Sequence, residues 1–180
     1  MAHIRPEKYI WLDGKLVPWN ESHVHFLTHS LHYGLAAFEG IRAYAQQTPP
    51  GTGAIFRLSE HTDRLFDSCK LCLIDVPYTR EQINQACIET MQANGMQAAY
   101  LRPLVFLGDG SMGLGAMDPP VRVGVAAYVW GRYLGDEGIA KGIRAKISSY
   151  GRNNMQVGLP KGKICGQYVN SVLAKREVIK

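Results

Sequence analysis

Lys163 is the residue on which covalent chemistry is most readily built. It follows the proline-containing loop GRNNMQVGLPKGK and precedes Cys165-Gly166, a small-residue turn leading into a helix that carries Tyr168. Its amine can therefore project into a cleft beside a phenol, while spacing alone reads it as a surface lysine. Lys161, two residues earlier, is an equal candidate on chemistry alone. Arg42, Arg57 and Arg102 stand in the apolar or strand-like runs FEGIRAY, AIFRLSEH and AYLRPLVF. An arginine is costly to bury without an anion, so each is either paired within the protein or reserved for a ligand phosphate or carboxylate.

Other patterns point to structure. Gly108-Asp-Gly110-Ser-Met-Gly113 has dinucleotide-loop spacing and follows a predicted strand, but Gly115, Pro119 and Pro120 forbid the helix whose N-terminus would receive a pyrophosphate. A loop between two strands is expected there. GLPKGK is too short for a phosphate loop and has Ile164 where Ser or Thr is required. His23, His25, His29 and His32 could ligate zinc in principle; they are read as loop and cap hydrogen-bonders, and no metal is expected. Cys69 and Cys72 form a C-x-x-C inside the amphipathic run Leu65, Phe66, Cys69, Cys72, Leu73, so buried apolar thiols are expected rather than a zinc or redox pair.

The elements that must position these residues follow from pattern. YIWL and KLVPW flank Asp13-Gly14, the dipeptide of a tight hairpin. AAFEGIRAYA reads as one strand and AIFR as a short one. Ser59 is the expected N-cap of a helix running to about Leu73, with Glu60 in its first turn. Thr79 and Gln82 form a capping box ahead of Ile83, Ala86, Cys87, Thr90 and Met91, and Asn94-Gly95 is the stop. AAYLRPLVFL and VRVGVAAYVW are strands, GRYLGDEGIAKG a linker, Ile143 to Tyr150 a strand, and Cys165 onward a helix. The fold class is α+β: an amino-terminal domain over 1–130, a linker over 131–142, and the start of an incomplete second domain over 143–180.

In this order, HSLHYGLAAFEGIRAY, AIFRLSEHTDRLFDS, AAYLRPLVFLGDGSMGLG and LPKGKICGQYVNSVLAKRE resemble the fold-type IV pyridoxal-phosphate aminotransferases, most closely the bacterial branched-chain amino acid aminotransferases. The resemblance separates the lysines. The family's cofactor-bonding lysine lies three residues before a glycine that is followed by a polar residue and a tyrosine, and Lys163 matches where Lys161 does not. It implies pyridoxal 5'-phosphate as cofactor, bonded through its aldehyde to Lys163, with Tyr168 at its phenolate oxygen and Arg57 at its phosphate. It implies Tyr33, Phe38, Tyr100 and Tyr133 around the substrate and Arg102 at the side-chain carboxylate of glutamate. The implied reaction exchanges an amino group between leucine, isoleucine or valine and 2-oxoglutarate, in a homodimer whose GDGSMGLG loop reaches the neighbouring active site. Family members continue into a second domain that supplies the acidic partner of the pyridine nitrogen. Within the fold type, the alternatives are a D-amino acid aminotransferase and aminodeoxychorismate lyase; outside it, a non-catalytic self-associating fragment.

Composition agrees with an enzyme of small anions. Across 180 residues, 46% are apolar and 19% charged, which excludes a mainly disordered chain. The net charge of +5 is scattered, so nucleic acid is not an expected partner. The longest apolar stretch, Val121 to Trp130, is half a membrane span and contains Arg122. Charges within MAHIRPEKYIWL exclude a secretory signal there, and the expected location is cytoplasmic.

Overall fold

The computed structural model describes residues 4–131, 135–151, 156 and 158–179. Its frame is a sheet of seven strands, all paired antiparallel: β1 (Tyr9–Leu12), β2 (Lys15–Pro18), β3 (Ala36–Phe38), β4 (Ile41–Ala45), β5 (Gly53–Ile55), β6 (Ala99–Leu107) and β7 (Val121–Tyr128). The path across the sheet is β2-β1-β7-β6-β4-β5, and β3 also pairs with β6. The helices are α1 (His29–Tyr33), α2 (Leu58–Leu71), α3 (Arg80–Ala93), α4 (Gly135–Lys141) and α5 (Tyr168–Ile179). Among the described residues, no helix is long and apolar enough to cross a membrane.

Period-two alternation assigns the two faces of the sheet. On β6, Leu101, Pro103 and Val105 are fully buried and join Ala37, Ile41, Val123 and Val125 in a core beneath Leu65 and Cys69 of α2 and Ile83 and Cys87 of α3. Tyr100, Arg102 and Leu104 lie on the other face, where the candidate chemistry is. Helix α3 starts at the expected capping box: Thr79 accepts from the Gln82 N–H at 3.2 Å while Gln82 accepts from the Thr79 N–H at 2.7 Å. It ends at Asn94, with Gly95 at a φ of +66°. The Asp13-Gly14 hairpin holds its expected register, pairing Leu12 with Lys15.

Four local expectations are corrected. Helix α2 is capped by Arg57 in the left-handed region rather than by Ser59, which lies inside the first turn. The strand read over AAFEGIRAYA divides at Glu39-Gly40 into β3 and β4. Opposite this gap stands Pro103, whose carbonyl accepts the Glu39 N–H at 2.9 Å but which has no N–H to return. The ladder stops because its partner lacks a donor. The linker contains helix α4, with Glu137 and Lys141 paired one turn apart at 3.1 Å. Ile143 to Tyr150 forms no strand, since no neighbouring strand takes its backbone bonds; Ser148 and Ser149 instead bind the Glu177 carboxylate of α5.

GDGSMGLG is a loop between β6 and β7, closed by the Gly108 N–H to Pro120 carbonyl bond at 2.8 Å. His29, buried, donates through Nε2 to the Gly113 carbonyl at 3.0 Å, and its own N–H donates to Gly108 at 2.8 Å. His25 accepts from the Leu27 N–H and His32 donates to the Phe26 carbonyl. Cys69, Cys72 and Cys87 are free and buried, and burial pushes the Cys69 and Cys87 thiols up to about 12.

One close approach fastens α1 to the segment that carries Lys163. Gly34, at the end of α1, has a φ of +73°, and its carbonyl accepts the Gly166 N–H at 2.9 Å. A Cβ at Gly34 would lie 2.9 Å from the Gly166 Cα. Gly34→Ala is therefore expected to cost about 1–2 kcal/mol from the backbone conformation alone. Denaturant unfolding checks this, and unchanged stability would show that the contact is slack.

Candidate active site

The Lys163 segment docks on β3 through backbone bonds. Ile164 bridges Ala37, the Phe38 N–H donates to the Lys163 carbonyl at 3.1 Å, and the Lys163 N–H donates to Ser68 Oγ of α2 at 3.0 Å. Ile164 is buried in the core, so the next side chain along, Lys163, turns to the opposite side. There its Nζ lies 2.8 Å from Tyr168 Oη and 4.7 Å from the centre of the Phe38 ring. The Phe38 and Tyr168 rings are 5.0 Å apart and tilted. A primary amine, a phenol and an aromatic face thus share one corner.

Arg102 adjoins it. Its guanidinium lies 4.7 Å from the Phe38 ring centre and 5.3 Å from that of Tyr100, and Nη2 donates to Tyr100 Oη at 3.3 Å. Its buried Nε has no hydrogen-bond partner. A buried N–H without an acceptor is costly, so this donor is placed for an anion or carbonyl. Tyr100 packs on Trp130 at 4.7 Å, and Tyr128 packs on both, making an aromatic wall. Gly40 permits it: a Cβ there would lie only 1.9 Å from Tyr100 Oη. Cys165 stands near Arg102 and Lys163, but burial outweighs their charges and pushes its thiol up, so it stays protonated and does not compete as a nucleophile.

The other sequence-derived arginines have structural work. Arg42 donates to the Trp130 and Gly131 carbonyls at 2.6 and 3.1 Å, holding the chain where it leaves β7. Arg57 is 62% exposed and paired with Glu60 at 2.9 Å. The ring neighbours of Tyr33 are His29 and His32. Tyr133 is outside the described residues.

Two residues escaped the sequence reading. Glu39, fully buried on the helix side of the sheet, accepts from Arg64 Nε at 2.6 Å and Nη2 at 2.8 Å, and from His61 Nδ1 at 2.9 Å. Burial raises its carboxyl, but bonds from Arg64 and His61 and the Arg64 charge outweigh that and hold it below its ordinary value. Arg64 is one helical turn before Ser68, which anchors Lys163. The alternation Ala37, Glu39, Ile41 was the available signal: it puts a carboxylate on the core face, where a cation must meet it. Among the described residues, no group of three or more His, Cys, Asp or Glu side chains could hold a metal ion.

The chain is similar to the branched-chain-amino-acid aminotransferase of Pseudomonas aeruginosa, 46% identical over 170 residues covering 94% of this chain and 54% of that protein. Its fold superposes on the Escherichia coli branched-chain amino acid aminotransferase with a TM-score of 0.89 at 36% identity, covering 95% of this chain and 57% of that one. It superposes on the T.th. branched-chain amino acid aminotransferase with pyridoxamine 5'-phosphate with a TM-score of 0.87 at 38% identity, covering 95% and 55%. The chain spans about half the length of these relatives. Residues 36–180, which include β3, the Arg102 strand and the Lys163 segment, match the amino-transferase class IV family. With an amine, a phenol and a guanidinium on one face of this α+β fold, the chain belongs to the class IV aminotransferases.

Proposed function

We propose that the protein carrying this chain moves the amino group between branched-chain L-amino acids and 2-oxoglutarate, with pyridoxal 5'-phosphate held at Lys163. The observation that carries the reading is the 2.8 Å pair of Lys163 and Tyr168 beside the unpartnered Arg102 Nε. The donor set fits the cofactor: an amine for its aldehyde, a phenol for its ring oxygen, and a guanidinium for its phosphate. Bound there, it supplies an electron-accepting ring that makes the substrate Cα proton removable. Lys163, once neutral, is the base that moves this proton, with Tyr168 Oη as its hydrogen-bond partner.

The phosphate falls to Arg64 in place of Arg57. Arg57 is exposed and pairs with Glu60, whereas Arg64 stands one turn of α2 before Ser68, whose Oγ accepts the Lys163 N–H. Glu39 engages only Nε and Nη2 of Arg64, and the side chain remains 51% exposed, leaving N–H donors for an anion. Phe38 and Tyr100 with Trp130 form the apolar wall for a branched side chain. Arg102 receives the side-chain carboxylate of glutamate or 2-oxoglutarate. This combination favours branched-chain substrates over D-amino acids.

A homodimer completes the reading. The loop after β6 carries Leu114 and Met117, 90% and 93% exposed, and Tyr33 projects beside it through His29. Apolar side chains so exposed on a glycine-rich loop suit insertion into a second copy.

Borohydride reduction of the full-length protein with pyridoxal phosphate is expected to fix the label on Lys163; a label on Lys161 would sink the assignment. Amino transfer to 2-oxoglutarate is expected from L-leucine and not from D-alanine, and activity on D-alanine alone would reverse the substrate choice. Sedimentation of the active protein is expected to give a dimer, and a fully active monomer would overturn the role of the loop.

A further inference from the structure

The trio of buried Glu39 with His61 and Arg64 has a geometry that simple stability does not explain. A carboxylate with no exposure is expensive to desolvate, and a packed apolar side chain at its position would serve the core as well or better. Glu39 instead takes two parallel bonds from one edge of the Arg64 guanidinium and a third from His61. The fork fixes the plane of the guanidinium, because Nε and Nη2 are held at once. Its third nitrogen, Nη1, is then carried in a set direction. His61 belongs to α2, three residues before Arg64, and its bond to Oε2 fixes the carboxylate in turn. Glu39 itself is held by its N–H bond to Pro103 and by the Gly40 N–H bond to Oε2 at 3.2 Å. Strand, helix and guanidinium are therefore locked to one another at the gap between β3 and β4.

We infer that Glu39, seconded by His61, is a positioning residue that presents Arg64 to the phosphate of the cofactor. This rests on the reading of Arg64 given above. Glu39 touches neither cofactor nor substrate; it sets the direction of the residue that does. Its effect should accordingly appear only with ligands that carry the phosphate. Pyridoxal has the same ring and aldehyde without it, and serves as the internal control.

The test is to titrate the full-length apoprotein with pyridoxal phosphate and with pyridoxal, following absorbance, in the parent and in Arg64→Gln, Glu39→Gln and His61→Phe. Both Glu39→Gln and Arg64→Gln are expected to raise the dissociation constant for pyridoxal phosphate by about tenfold or more, the scale of a charge-assisted hydrogen bond. His61→Phe is expected to raise it about threefold. All three should bind pyridoxal within about twofold of the parent, a selectivity that a general loss of stability would not produce. Should Glu39→Gln fail to fold, His61→Phe carries the test, since the His61 side chain is 23% exposed and outside the core. If Arg64→Gln weakens pyridoxal phosphate while Glu39→Gln and His61→Phe leave it unchanged, the positioning role falls and the Arg64 reading stands. If Arg64→Gln binds pyridoxal phosphate as the parent does, the reading of Arg64 falls and the inference with it. Equal weakening of both ligands in Glu39→Gln would likewise overturn the inference, since the effect would not pass through the phosphate.

Discussion

The bond from the Phe38 N–H to the Lys163 carbonyl, with the Ala37 and Ile164 bridge beside it, joins two stretches of chain more than a hundred residues apart. Everything chemical about the site depends on it. Strand β3 has its other edge against β6, so an element that pairs with the free edge of β3 acquires the alternation of the sheet. Ile164 goes inward to the core and Lys163 outward to Phe38 and Tyr168. The lysine amine is thus aimed by backbone pairing, the stiffest means available to a chain, and Ser68 Oγ fixes the segment from the helix side.

The two faces of β3 and its continuation divide the labour. Phe38 and Gly40 look toward the aromatic wall and the Lys163 amine, while Ala37, Glu39 and Ile41 look toward the helices. The Arg64 guanidinium meets Glu39 on the helix side, one turn before the Ser68 that accepts the Lys163 N–H. Half the length of the relatives is enough to build this part, because every contact that defines it lies between α1 and α5.

Much of the frame was legible in the residues. The Asp13-Gly14 hairpin, the Thr79 and Gln82 box and the alternation of β6 and β7 are local signals, and each is expressed where it occurs. The gap at Glu39-Gly40 was not legible, because its cause is a proline sixty-odd residues away. The supposed strand over 143–150 failed for the matching reason: strand propensity cannot say whether a partner will be present. At the site, the structure brings Lys163, Tyr168, Phe38, Tyr100 and Arg102 together. Arg57 and Arg64 are the instructive pair. Both lie in the same motif, and only the three-dimensional position of Glu39 tells which one is held against the helix side of the sheet.

Pro103 has a further consequence for how the chain finds its register. In the observed register the missing donor falls at the Glu39-Gly40 gap, whereas a slip that set Pro103 opposite Phe38 would move it into β3 itself and cost that strand a ladder bond. The same slip would exchange the faces of Phe38 and Glu39, burying a ring where the carboxylate belongs and turning the carboxylate toward the lysine. The missing hydrogen thus acts as a notch in a key. It admits one alignment of the strands, and that alignment separates the charge that steadies an arginine from the ring beneath the amine.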